Sequence, residues 1–298
     1  MKYKSKIDKM FLDHRAITFY RSFVKTIAER KPKELEKSVV YILLEELLNQ
    51  KEVACKEVIP FGTILYRARI VDDVIKEIKE ESIIKRDSHT ITGYDEINSK
   101  EPPLRISSEG RNNLQGVSYL YVAEDEYTAL AEVKPKTQDI ISIATFKVKK
   151  KLKSFNLKDD FAPKDVEEFE NKHHVSAAVL MTLVMKAFSS TPSEMTCDYQ
   201  VTQFVSDLVR KHGYDAISYR SYASGNKNYT IFNSCKANIE FMQSQLVFLK
   251  STDYSFAYIN SGETVPYNDQ RKVANKEHIE ELKNTLLLQF RMEDADHE

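Results

Sequence analysis

The opening segment, to about Lys56, spaces its apolar residues by three and four: Phe19, Phe23, Val24 and Ile27, then Val39, Val40, Ile42, Leu43, Leu44, Leu47 and Leu48. That period gathers them on one side of a helix, so a pair of amphipathic helices is predicted, broken near Lys31-Pro32. The period then falls to two. In TILYRARI, Ile64, Tyr66, Ala68 and Ile70 alternate with other residues, as one face of a strand does.

A polar stretch from Lys85 to Gln115 holds Gly93, Pro102, Pro103 and Gly110, ends at Gly116, and reads as a long loop. Loops of that length are functional or disordered. SYLYVA (Ser118 to Ala123) predicts a strand, and Asp125 to Val133 a short helix capped by Glu124 or Asp125. IISIATFKV and LKSFNL predict two strands joined at a hairpin by Lys149-Lys150-Lys151. Helices are expected from Lys164 to about Ser189 and from Tyr199 to His212, with Gly213 where a helix stop belongs. DAISY, YTIF and QLVFL read as short strands, and Lys276 to Phe290 as a helix before an acidic end that frays.

Helices and strands interleave without regular βαβ alternation, which predicts an α+β domain rather than a doubly wound parallel sheet. The shifts in texture divide the chain into a helical segment (1–58), a main domain (59–250) and a C-terminal extension with a helix (251–298).

Composition removes several classes of function. Lysine and arginine number 44 against 45 acidic residues, so no general field draws nucleic acid or an anionic membrane. The basic run Lys147 to Lys153 has no interleaved aromatics and reads as a solvated turn. Its most apolar run, AAVLMTLVM, is far short of the roughly 20 residues of a membrane helix, and the start lacks an apolar signal core. Cys55, Cys197 and Cys235 are odd in number and far apart, which suits a reducing compartment; a soluble cytoplasmic protein is the expectation. His173 and His174 are adjacent and project in different directions, so no metal is expected. None of the seven glycines forms a GxGxxG turn or a phosphate loop, and no GxSxG elbow occurs.

Four segments place polar residues on otherwise apolar elements. In LYRARI, Arg67 and Arg69 share a strand face opposite Tyr66 and Ala68, and two guanidiniums on one face need water, carboxylates or phosphate. SEGRNNLQGVSYLYVAEDEYTALAEV carries Arg111 in a glycine-bracketed loop and embeds Glu132 among Ala129, Leu130, Ala131 and Val133. DYQVTQFVSDLVRKHGYDAISYRS joins a helix to a strand ending at Ser221; Tyr199, Gln203 and Ser206 can lie along one helix face. In SGNKNYTIF, Asn226 and Asn228 favour a turn before a short strand.

In this order the four segments resemble the RES-domain family, over roughly Phe61 to Leu249. The most specific piece is the run from Gly110 to Val133, followed by Tyr199-x-x-Thr202-Gln203 and Tyr219-x-Ser221. The resemblance implies an ADP-ribosyltransferase-like α+β fold with a split central sheet. It also implies consumption of NAD by hydrolysis or phosphorolysis, with NAD as substrate and no further cofactor, and a role as a growth-arresting toxin held inactive by an antitoxin. Self-association is open. Carried over by motif, the arginine falls on Arg67, the glutamate on Glu132 and the serine on Ser221. Arg111 is a second anion-binding candidate, and the aromatic falls on Tyr121 or Tyr119; Arg69, Tyr199 and Gln203 complete the substrate-binding set. Two departures stand out: Asn112-Asn113-Leu114-Gln115 replaces a more apolar, proline-containing loop, and Ala216 stands where glycine is common after Asp215.

These residue types suit the chemistry the resemblance implies. As neutral nicotinamide departs, positive charge gathers on the ribose, and a carboxylate there favours the transition state over the ground state. Arginine forks suit pyrophosphate, an aromatic ring stacks on nicotinamide, and a hydroxyl bonds the carboxamide or a phosphate oxygen. Two neighbouring readings use the same site: transfer of ADP-ribose to a macromolecule, and NAD sensing without reaction. The helical first segment mixes acidic and basic residues without a basic stripe, which suits docking or regulation better than RNA binding.

Overall fold

The computed structural model describes residues 6–50, 56–71, 93–137, 139–157, 166–189 and 199–249; the helix expected from Lys276 to Phe290 lies outside them, as do Cys55 and Cys197. In helix α1 (Lys6–Ala28) the buried residues Leu12, Ala16, Tyr20 and Phe23 fall at helical intervals along one stripe. The chain reverses at Arg30, in the left-handed region at φ 53°, and the single turn α2 (Pro32–Leu35) opens on a proline, whose missing N–H costs nothing at a helix start. Ser38 then caps α3 (Val39–Asn49) by accepting from Tyr41 N at 3.2 Å. The expected helix pair and its break are therefore present.

Eight strands follow among the described residues: β1 (Lys56–Ile59), β2 (Ile64–Ile70), β3 (Leu120–Ala123), β4 (Ile140–Val148), β5 (Leu152–Leu157), β6 (Ala216–Arg220), β7 (Lys227–Ile231) and β8 (Ile239–Phe248). They form one sheet in the order β1-β5-β6-β7-β3-β2-β4-β8. Strands β5 and β6 run parallel and the other neighbours antiparallel. The seam lies between β2 and β3. Their ladder consists of Tyr66 opposite Ala123, whereas β2 pairs with β4, and β3 with β7, along their whole lengths. The sheet is thus two half-sheets joined at a narrow waist, the split α+β arrangement expected.

One face of the sheet is covered by α1, α3, α7 (Ala177–Ser189) and α8 (Gln200–Lys211), with Phe23, Leu44, Leu47, Phe155, Leu180, Phe188 and Ile217 fully buried between them. Full burial of each such side chain stabilises the fold by roughly 1.5–3 kcal/mol. The other face buries Leu65, Leu120, Phe146, Leu152 and Ile231. A third cluster joins Ala68, Ala123, Ile141 and Ile143 of the sheet to Ala129 of the short helix α5 (Glu126–Val133). Small side chains there let the helix sit close across the seam.

Three local expectations change. The hairpin between IISIATFKV and LKSFNL does not form: β4 pairs with β2 and β8, β5 with β1 and β6, so Lys149-Lys150-Lys151 carries the chain from one half-sheet to the other. The helix expected from Lys164 to Ser189 is two, α6 (Glu167–His173) and α7, because His174 turns left-handed at φ 50° and the buried Glu170 carboxylate accepts from Ala177 N at 2.9 Å, capping the second. The polar stretch before Gly116 is not bare loop in its described part. It holds the helical turn α4 (Glu96–Ser99), capped by Asp95, and a 3-10 turn (Leu104–Ile106).

Candidate active site

Asp125 starts α5 by accepting from Thr128 N at 2.7 Å, and Lys134 ends it in the left-handed region at φ 48°. This places Glu132 in its last turn, over the seam. A cleft of about 220 Å³ opens there, lined by Glu132 and Ala129 from the helix, Tyr66 and Arg67 from β2, Tyr121 from β3, and Tyr219, Asn228 and Tyr229 from β6 and β7. That is below the about 300–1,000 Å³ of pockets that enclose drug-sized ligands.

The Glu132 side chain is exposed to solvent at the cleft, yet its Oε1 is fixed: Ser221 Oγ donates to it at 2.6 Å and Asn228 Nδ2 at 2.7 Å. Ser221 is buried at the end of β6, where its amide donates to Asn226 O at 2.7 Å and its Oγ accepts from the amides of Ala223 and Ser224 at 3.2 and 3.3 Å. The Ser221 hydroxyl thus donates to the carboxylate and accepts from two amides, which fixes its orientation. A second set of bonds ties the Ser221 to Asn226 loop to the start of α5: Thr128 Oγ1 lies 2.9 Å from Ser224 Oγ, and Asn226 Nδ2 donates to Asp125 Oδ2 at 3.0 Å.

The other expected residues divide between the cleft and its supports. Tyr121 lines the cleft; its hydroxyl donates to Asn113 Oδ1 at 2.6 Å and accepts from Asn112 N at 3.0 Å. Burial drives its pKa far above the ordinary phenol range, so it stays neutral. Tyr119 is in the core, edge-on to Phe232 at 5.1 Å, and is not part of the cleft wall.

Strand alternation turns Tyr66 and Ala68 toward α5, and Arg67 and Arg69 toward residues 93–101 on the other face. Arg67 Nη1 donates to Ser99 O at 2.7 Å and to Lys100 O; Arg69 Nη1 donates to Asn98 O, with its guanidinium 4.9 Å from the centroid of the Tyr94 ring. Both cations thus meet the open carbonyls at the end of α4. Burial pulls the Arg67 pKa down to about 10, with the charge of Arg69 acting the same way, which leaves it protonated at neutral pH. Arg67 reaches the cleft wall at the seam, where the two strands part.

Arg111 does not line the cleft. Its Nη1 donates to Phe188 O at 2.6 Å and Ala187 O at 3.3 Å at the C-terminal end of α7, and its guanidinium lies 5.9 Å from the Tyr199 ring. Tyr199 and Gln203 also stand behind the wall: Gln203 Nε2 donates to Glu109 Oε1 and Gly110 O, both at 2.9 Å, bracing the loop that carries Arg111.

Sequence reasoning missed Asn228 as a site residue by assigning it to a turn; it is a buried strand residue on β7 aimed at Glu132. The available signal was an asparagine within the alternation of NYTIF, a residue depleted in strands. Tyr66, Tyr219 and Tyr229 were likewise not selected, and ordinary strand tyrosines give no such signal.

Fold and site together define an α+β protein with an oriented carboxylate at the seam of a split sheet. A family profile described as RES domain matches residues 89–251, more than half of the chain. The chain belongs to the RES-domain family. Among solved structures, a chain of the M. tuberculosis MbcT–MbcA toxin–antitoxin complex aligns with a TM-score of 0.39 and 13% identity, over 70% of this chain and 97% of that one. No curated protein matches the chain. No helix among the described residues is long and apolar enough to cross a membrane, and none of their His, Cys, Asp and Glu side chains form a group of three or more suited to a metal.

Proposed function

We propose that the protein degrades NAD by breaking the bond between nicotinamide and ribose, as a glycohydrolase or phosphorylase. The observation that carries this reading is the Glu132 carboxylate, presented to the cleft while Ser221 and Asn228 hold its Oε1. The electron pair of the C1′–N bond leaves with nicotinamide, and positive charge develops on the ribose. Oxygen from water or phosphate then bonds to C1′ and releases its proton. A carboxylate already oriented stabilises that charge without reorganising as it forms.

In this reading the Tyr121 ring is the platform for nicotinamide. Arg67 binds the pyrophosphate through its Nε and Nη2 edge, since Nη1 faces the carbonyls of Ser99 and Lys100. Arg69 and Arg111 lend positive field from behind the wall. Membership of the RES-domain family supports a growth-arresting toxin restrained by an antitoxin, the helical segment before residue 59 being available for regulation.

The test is incubation of the purified chain with NAD, with and without phosphate, following free nicotinamide and the ribosyl product. ADP-ribose without phosphate means hydrolysis, and a 1-phosphorylated product means phosphorolysis. Nicotinamide release only when a macromolecule is supplied and modified means transfer. No release and no binding rejects the NAD reading.

A further inference from the structure

Behind the cleft wall lies a buried polar network whose side chains make no contact with the carboxylate. Asn112 and Asn113 are 1% and 5% exposed, a depth at which an unmet hydrogen bond is costly; Asn112 Oδ1 has no partner among the described residues, whereas both polar atoms of the Asn113 side chain are bonded. Asn113 Nδ2 lies 2.7 Å from Val117 O, 2.9 Å from Ser108 O and 3.1 Å from Leu114 O. Three carbonyls on one side leave the amide a single orientation, with Oδ1 facing the Tyr121 hydroxyl at 2.6 Å.

Two further observations bear on this contact independently. A Cβ at Gly110 would stand 2.5 Å from Asn113 Oδ1 and 3.1 Å from the Tyr121 hydroxyl, so glycine alone leaves room for the pair. From α8, Gln203 Nε2 reaches both Gly110 O, at 2.9 Å, and Asn113 O, at 3.2 Å, bracing the loop from the far side. Asn112 adds its amide to the hydroxyl and its Nδ2 to Thr230 Oγ1 at 2.6 Å.

We infer that Asn113 is a positioning residue that pins the Tyr121 ring by its hydroxyl, and that this pinning sets the affinity of the cleft for the nicotinamide end of NAD. The inference rests on the NAD reading above. Both hydrogen bonds of the hydroxyl are made to one loop that Gln203 braces, so the ring is held in place without a ligand. Preorganisation of this kind raises affinity by removing the ordering cost of binding.

The experiment measures binding of NAD and of ADP-ribose, which lacks nicotinamide, to the full-length Glu132→Gln chain carrying Asn113→Ala, Tyr121→Phe, or both. Each change is expected to weaken NAD binding at least about threefold, Asn113→Ala by up to about tenfold, the worth of one hydrogen bond, and Tyr121→Phe, which removes both bonds of the hydroxyl, by as much or more, while ADP-ribose binding stays within about twofold. The double variant should be no weaker than Tyr121→Phe alone, because that change already removes the Tyr121–Asn113 bond. Equal losses for both ligands, unchanged NAD affinity in Tyr121→Phe, or additive effects would overturn the inference. Tyr121→Phe keeps the ring and its packing, so it carries the test alone if Asn113→Ala does not fold. Absence of NAD binding by the parent Glu132→Gln chain would instead overturn the NAD reading itself.

Discussion

Glu132→Gln isolates charge from shape. Glutamine keeps the length of the side chain and an Oε1 acceptor, so the bonds from Ser221 Oγ at 2.6 Å and Asn228 Nδ2 at 2.7 Å can both survive. The side chain is exposed, and a surface exchange of this kind changes stability by no more than about 0.5 kcal/mol, or about 2 °C in Tm for a domain of this size. What disappears is a negative charge beside the developing cation. Two unit charges about 4 Å apart interact by about 4 kcal/mol at the effective dielectric near a protein surface. Losing one preorganised group at a reacting centre costs about 2.7–4 kcal/mol, or 10²–10³ in kcat. Initial rates of nicotinamide release at saturating NAD should therefore fall at least about a hundredfold, with KM and Tm little changed. A folded Glu132→Gln chain that retains a fifth or more of the parent kcat would refute the assignment of the carboxylate.

Three further outcomes follow from the geometry. Ser221→Ala removes the donor to Glu132 and strands the amides of Ala223 and Ser224; Tm should fall by an amount corresponding to about 1–3 kcal/mol, and kcat should fall more than KM rises. Gly110→Ala forces the Asn113–Tyr121 pair apart, which overpacking of this severity makes worth about 1–3 kcal/mol in urea unfolding; an unchanged midpoint would contradict the close approach. At Asp125 burial alone would raise the pKa, but bonds from Thr128 N, Thr128 Oγ1 and Asn226 Nδ2 outweigh it and the net direction is down. Its stabilising contribution is full above the unfolded carboxylate value of about 3.9 and is lost as pH falls through the lower folded value, so Asp125→Asn should flatten the acid limb of a Tm–pH profile.

The residues that carry the site were legible where their chemistry and their element could be read from one short stretch. Glu132 stood out as a carboxylate in a helix of small residues, but the side of that helix that closes over the sheet is set by its contacts with Ala68 and Ala123, which the stretch itself does not announce. Ser221 was legible only through its motif, because its partner lies 89 positions earlier in the chain. The guanidiniums show the limit more sharply. Strand alternation placed Arg67 and Arg69 on a common face, but the carbonyls that receive them come from a helical turn about thirty residues later, and nothing local to LYRARI announces it. The failed hairpin has the same origin: two strands separated by three lysines look adjacent, and only the competing partners β2, β8, β1 and β6 decide otherwise.

The single rung between Tyr66 and Ala123 makes the sheet two plates sharing one bolt. Torque applied to either plate concentrates at that bolt, and the brace across it is α5, seated on Ala68 and Ala123 through Ala129. Methyl-sized side chains at those three positions are therefore shims: they set how far apart the plates stand, and with it the width of the opening into which the carboxylate points.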